Sequence, residues 1–217
     1  MTPNAPQLKD NSTVFVVDDD PEVRTGLQQL LDAIEFPVQT YSSAQQFLDS
    51  VTPDQSGCVV TDIRMPGMTG IELQKALQDR GIHLPVIVIT AYGDVSLTVE
   101  AFHGGAIDFL QKPYRPQHMI SRIREALARD RARRELEQGI RRTHSQLESL
   151  TKREIEVMER LVEGKTTKEI ARDLGIGLST VDYHRGNVLR KLNVDNVVNL
   201  AVAVQKYREA KGNLEQP

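Results

Sequence analysis

Val14-Phe15-Val16-Val17-Asp18-Asp19-Asp20 is the stretch on which the fold turns. Four apolar residues without alternation suit a parallel strand buried on both faces, and the carboxylates that close it put polar chemistry at one end. Working outward, similar runs recur at Val38–Tyr41, Cys58–Thr61, Val86–Thr90 and Phe109–Gln111. Apolar residues at helical spacing lie between them, as in Val23, Leu27, Leu30, Leu31 and Ile34. This βα alternation predicts a doubly wound α/β domain ending near residue 118. Ligands in such sheets bind at the carboxyl ends of the strands. There the first run ends in three aspartates, the third in Thr61-Asp62 and the fourth in Thr90-Ala91, while Lys112-Pro113 follows the fifth. Carboxylates gathered beside a hydroxyl and an ammonium repel one another unless a cation joins them, and all-oxygen ligands suit Mg²⁺.

The segments VVDDDP (16–21), VVTDIRMPGMTG (59–70), VIVITAYGD (86–94) and GAIDFLQKPY (105–114) resemble the receiver domain of two-component response regulators. The resemblance covers about residues 13–118 and implies a flavodoxin-like (βα)5 fold. It also implies that Asp62 accepts a phosphoryl group and that Thr90 and Lys112 bind the phosphoryl oxygens. Asp18, Asp19 and Asp62 would hold Mg²⁺ together with the Arg64 backbone carbonyl. Asp20 reads instead as a carboxylate at the N-terminus of the next helix, favoured by the helix dipole. Thr90 and Phe109 are the implied switch pair. Phe109 stands where many relatives carry tyrosine, and without a hydroxyl its inward state loses no hydrogen bond to water. Lys112-Pro113 is a candidate cis bond.

From Gln117 to Ser149 the spacing of Ile120, Ile123, Leu127, Leu136, Ile140 and Leu147 predicts one long helix. Arg129 to Glu135 reads as too polar to bury, which makes the connector an exposed spacer weakened at Gly139. Beyond it, Thr151 with Glu154 and Thr166 with Glu169 form capping boxes, and Ser179 with Asp182 a weaker third. Helices are expected at 152–163, 167–174, 180–192 and 196–207, with Gly175 and Gly177 in the turn of a helix-turn-helix. Residues 150–207 resemble the LuxR-type helix-turn-helix, and the pairing with a receiver resembles the FixJ/NarL group. On a helical wheel Val181, Val188 and Leu192 face one way. His184 and Arg185 flank that stripe, and Tyr183, Gly186, Asn187 and Arg190 face the other way. The expected DNA contacts are Thr167, Lys168, Thr180, Tyr183, Asn187, Arg190 and Lys191. Tyr183 and Asn187 would read bases, while Arg190 and Lys191 would lie nearer phosphate. Asp182, an acid that would repel phosphate, reads as a cap.

Composition sets the remaining bounds. The net charge of −3 divides into 7 basic and 15 acidic side chains in residues 1–117 and 20 and 15 in residues 118–217. Most of the basic excess lies between Arg122 and Arg142, so DNA contact in the last segment must come from a local patch. No apolar run reaches the roughly 18 residues a membrane span needs. Met1 to Ser12 carries no signal-peptide pattern, which places the protein in the cytoplasm. The single cysteine, Cys58, excludes an internal disulfide, and the five histidines lack zinc-ligand spacing. Gly164-Lys165-Thr166 fails as a phosphate loop because Glu159 occupies the place of the required earlier glycine. The expected organisation is a disordered tail (1–12), a receiver (13–118), a helical linker (119–149), a helix-turn-helix domain (150–208) and a flexible tail (209–217). The function it implies is that of a transcription factor, an activator, with phosphoacceptor chemistry only. A sensor histidine kinase would phosphorylate it, and the resulting homodimer would bind double-stranded promoter DNA and RNA polymerase. An aspartyl-nucleophile phosphatase would share the acidic strand end, but Asp18-Asp19-Asp20-Pro21-Glu22 lacks the Thr or Val expected two residues after the second acid. A DNA-binding protein with a silent receiver would not need Asp18, Asp19, Asp62, Thr90 and Lys112 all intact.

Overall fold

Each apolar run of the first half forms a strand: β1 (Thr13–Val17), β2 (Val38–Tyr41), β3 (Gly57–Asp62), β4 (Val86–Thr90) and β5 (Asp108–Gln111). In the computed structural model, which describes residues 12–90 and 108–214, all four strand pairings are parallel and the order is β2-β1-β3-β4-β5. This is the flavodoxin-like doubly wound order. Ala91 and the rest of the motifs falling in residues 91–107 lie outside the described residues. Helices α1 (Pro21–Asp32), α2 (Ala44–Ser50) and α3 (Gly70–Asp79) follow β1, β2 and β3. Because β1, β3 and β4 are buried on both faces, alternate residues feed two cores. Phe15, Val17, Val59 and Val88 pack with Phe47, Leu73 and Leu77 on one side. Val14, Val16, Val60 and Ile87 pack with Leu27, Leu31, Met119 and Ile123 on the other.

The chain divides into two compact units between Arg133 and Arg134, within α4 (Pro116–Glu148). Up to Arg133, α4 is part of the first unit: Met119, Ile123, Ala126 and Leu127 are buried in its core. This moves the first unit's edge well past residue 118. Asp130 corrects the expectation that Arg129–Glu135 is too polar to bury, since it is only 1% exposed. Its carboxylate is satisfied where it lies, accepting from Ser56 Oγ at 2.9 Å, the Gly57 N–H at 3.0 Å and Arg133 Nη2 at 2.8 Å. A buried charge is tolerated when it is paired and hydrogen-bonded in this way.

The second unit holds the remainder of α4 with α5 (Lys152–Val162), α6 (Thr167–Leu174), α7 (Leu178–Lys191) and α8 (Val197–Leu214). Leu150, Val157, Leu161, Ile170, Val181, Val188, Leu200 and Val204 form its core. The α4 portion in this unit is more than a solvated spacer, because His144 stacks on Tyr207 of α8 with centroids 5.6 Å apart. Thr151 and Thr166 make the expected capping boxes with Glu154 and Glu169. The third box is not formed. The N-cap of α7 is Gly177, whose carbonyl accepts from the Thr180 and Val181 N–H groups, so the helix starts before Ser179 can cap it. Helix α8 continues through Leu214, beyond the expected end at 207. Among the described residues no helix is long and apolar enough to cross a membrane.

Candidate functional site

The carboxyl ends of β1 and β3 are neighbours in the sheet, and each delivers one aspartate. Asp18 is 2% exposed. Its Oδ1 accepts from the Asp20 N–H at 2.9 Å, and its carbonyl accepts from Arg24 Nη1 of α1 at 2.6 Å. Asp62 Oδ2 accepts the Arg64 N–H at 2.7 Å. Lys112, just after β5, brings the two acids together: its Nζ donates to Asp62 Oδ1 at 2.7 Å and Asp18 Oδ2 at 3.4 Å. Lys112-Pro113 is cis, as expected. The Lys112 N–H donates to the carbonyl of Thr90, which is buried at the end of β4. Phe109 is half-buried against the core that contains Phe15 and Val88. Asp19 is exposed, and Asp20 caps α1 through the Glu22 N–H at 2.8 Å.

Electrostatics at this end of the sheet follow from crowding like charges in a partly buried place. Burial pushes the Asp18 carboxyl above its ordinary pKa and the Asp62 charge adds to the rise, against the opposing pull of the Asp20 N–H and Lys112. Burial also works against the Lys112 ammonium. The hydrogen bond to Asp62 and the charge of Asp18 outweigh it and hold the lysine pKa above its usual value. Half-buried Tyr114, which feels the same charges, has its phenol raised by burial. Among the described residues no group of three or more His, Cys, Asp or Glu stands ready as a metal cluster. The donor set is nonetheless all oxygen, and its two clustered carboxylates share a single ammonium, a charge excess that a hard divalent cation would offset.

In the second unit, α6 and α7 meet through a short turn, with Arg153 Nη2 of α5 donating to the Leu174 carbonyl at 2.8 Å. Val181 and Val188 are buried while Tyr183 is 66% exposed, as the helical wheel requires. Gly186, Arg190, Thr180 and Lys168 are exposed, and Asn187 and Thr167 half-buried. His184 is half-buried with its Nδ1 enclosed, a packed histidine rather than an open one.

Residues 14–124 match the family described as the response regulator receiver domain, and residues 148–204 match the bacterial regulatory proteins of the luxR family. The chain belongs to the response regulators. Relatives matched over most of their own length agree. The transcriptional regulatory protein TdiR of Thauera aromatica is 42% identical over 87% of this chain and 83% of its own. The transcriptional regulatory protein FixJ of Azorhizobium caulinodans is 41% identical over 89% of this chain and 92% of its own. The solved structure of the response regulator StyR, 43% identical, covers 91% of this chain and all of its own with a TM-score of 0.83. This response regulator is therefore a two-component transcriptional regulator with a receiver and a LuxR-type DNA-binding domain.

The structure of this response regulator brings together Asp18, Asp62 and Lys112, with Thr90 on the adjoining strand end, while the neighbouring Asp19 is exposed. It engages the Lys191 ammonium within the second unit. The Lys191 ammonium donates to Glu154 Oε2 at 2.7 Å and to the Ser149 carbonyl at 2.9 Å, tying α7 to the capping box of α5. Asp182 supplies no cap to α7. Three residues were missed by sequence reasoning. Arg24 holds the Asp18 turn, Tyr114 borders the acids, and Gly70 lets α3 start against Asp62, where a Cβ would stand 2.3 Å from the Asp62 carbonyl oxygen. A glycine directly after the capping Thr69 was the one available signal. Cys58, fully buried, has its thiol pushed far up by desolvation.

The Lys191 contact carries a pH prediction. The hydrogen bond from Lys191, then those from Thr151, lower the Glu154 pKa to about 2. Such a depressed carboxyl stabilises the fold above its ordinary pKa, and that stability disappears as pH falls through the folded value. Lys191→Met should cost about 2 kcal/mol near neutral pH, as for a hydrogen bond to a charged group. Thermal melts across pH should show the gap between wild type and variant narrowing below about pH 4. A gap that is constant down to the acid limit contradicts this account.

Proposed function

We propose that Asp62 accepts a phosphoryl group from the phosphohistidine of a sensor histidine kinase, and that the modified chain dimerises on promoter DNA as an activator that contacts RNA polymerase. The observation supporting this is the joint hold of Lys112 on Asp18 and Asp62 at the strand ends. A carboxylate oxygen of Asp62 attacks phosphorus, the bond from phosphorus to the donor imidazole nitrogen breaks, and an acyl phosphate forms while the imidazole, protonated at its other ring nitrogen in the donor, leaves as neutral histidine. Lys112, held charged by its partners, faces the negative charge gathered on the phosphoryl oxygens. Thr90 offers them a hydroxyl and, in moving toward them, frees the space into which Phe109 turns. Bound by Asp18, Asp62, Asp19 and the Arg64 carbonyl, Mg²⁺ would supply charge neutralisation at the transferred group. Arg24 keeps the Asp18 turn in place. On the DNA side, few basic groups face outward on α7, so affinity per monomer is modest and pairing of two chains supplies the rest.

Footprinting of the full chain on a promoter, with and without acetyl phosphate and Mg²⁺, tests this reading. Protection at chain concentrations at least about tenfold lower with the phosphodonor is expected. Equal protection in both conditions removes the switch and leaves a constitutive DNA-binding protein.

A further inference from the structure

On α7, Tyr183, Asn187 and Arg190 follow one another at the spacing of a single helix face, over a rise of about 10 Å. The last two are not independent. Arg190 Nη2 donates to Asn187 Oδ1 at 2.7 Å, and this bond decides what the pair can present outward. An asparagine reads adenine through two bonds at once, accepting from the base N6 amino group and donating to N7. Here the Arg190 guanidinium takes one lone pair of the carboxamide oxygen and sets its positive charge beside it, so Asn187 presents chiefly its N–H groups. The rest of the Arg190 guanidinium has only donors as well. The composite edge is donor-rich and positively charged. Of the four bases, guanine alone shows two adjacent acceptors, N7 and O6, to the major groove. Adenine pairs its acceptor with a donor that this edge would meet head-on. Nothing lies within 4 Å of where a Cβ of Gly186 would be, so the backbone beside the pair is open to approach.

We propose that Asn187 and Arg190 act as one reading unit that selects guanine in each DNA half-site, with Arg190 at a base edge rather than at phosphate. The proposal rests on the reading of α7 as the DNA-facing helix and adds the base that this helix selects. Tyr183, one turn toward the helix start, would meet a different base pair, so the guanine preference belongs to one position of the half-site.

The test uses the full chain, treated with acetyl phosphate and Mg²⁺, to enrich duplexes from a library with a randomised core. One position per half-site should favour guanine over adenine by about tenfold or more. In Asn187→Ala and in Arg190→Lys, which retains the charge for phosphate, that preference should fall severalfold while preferences at other positions persist. An enriched site in which the base sensitive to Asn187→Ala is adenine overturns the proposal, as does a site left unchanged by both substitutions. Failure of the wild-type chain to enrich any sequence removes the DNA-facing reading of α7, and the guanine assignment with it. Circular dichroism of each variant, matching wild type, shows that a lost preference is not a lost fold.

Discussion

Asp62→Asn leaves the chain without a phosphoryl group after incubation with acetyl phosphate and Mg²⁺, where the intact mass of the wild type gains one. The amide is nearly isosteric, so its oxygen can still receive the Arg64 N–H that now meets Asp62 Oδ2 at 2.7 Å. What it lacks is the negative charge that makes the oxygen a nucleophile and the ability to close an acyl phosphate. Removing a nucleophile outright costs on the order of 10⁴-fold or more in rate, far below the detection floor of a labelling assay. Stability should scarcely change. The substitution ends the 2.7 Å ion pair with Lys112 but also removes the Asp62 charge that burdens buried Asp18. These effects oppose one another, and the melting midpoint should stay within about 4 °C of wild type, equivalent to roughly 1 kcal/mol. A variant that melts normally and still gains the full phosphoryl mass sinks the assignment of Asp62 and moves the acceptor to a neighbouring acid.

The acids of this site were legible because a parallel strand buried on both faces must be an unbroken apolar run, and a run that ends in charge shows where the sheet meets water. The capping boxes at Thr151 and Thr166 were legible for a related reason, since partners three residues apart need only local geometry. That logic failed at Ser179. Gly177, an extended residue two positions earlier, offers its carbonyl to the Thr180 and Val181 N–H groups, and the helix starts there. What the sequence hid are contacts across long separations. Asp130 meets Ser56 across 74 residues, and Lys191 meets Glu154 across 37. An aspartate amid arginines reads as surface unless its hydrogen-bond donors are known, and a lysine at the end of a recognition helix reads as a phosphate ligand unless its carboxylate is known. Arg24 was hidden differently, because its partner is a backbone carbonyl and leaves no side-chain signature.

Gly57→Ala should be the most destabilising small substitution in the first unit, and its effect follows from close approach rather than from lost contacts. Gly57 opens β3 opposite Thr13 of β1, with φ of +148°, and an added Cβ would sit 1.9 Å from the Thr13 carbonyl oxygen. Backbone cannot rotate away as a side chain could, so β3 must retreat from β1 at this end. That retreat stretches the bond from the Thr13 N–H to the Ser56 carbonyl, now 3.0 Å, and withdraws the Gly57 N–H from Asp130. The buried carboxylate would then be short of one of its donors, at about 2 kcal/mol, in addition to about 1–3 kcal/mol of overpacking. A total near 4 kcal/mol takes a large part of the roughly 5–15 kcal/mol that holds a domain folded. Calorimetry should show the first unit melting about 8–16 °C lower, or the variant should accumulate as aggregate. Gly26→Ala is the matched control: an exposed glycine within α1 with nothing within 4 Å of the added methyl, where the substitution should stabilise by about 0.5–1 kcal/mol. If Gly57→Ala and Gly26→Ala melt alike, the close packing of β1 on β3 at the start of the sheet is not what holds the two strands in register.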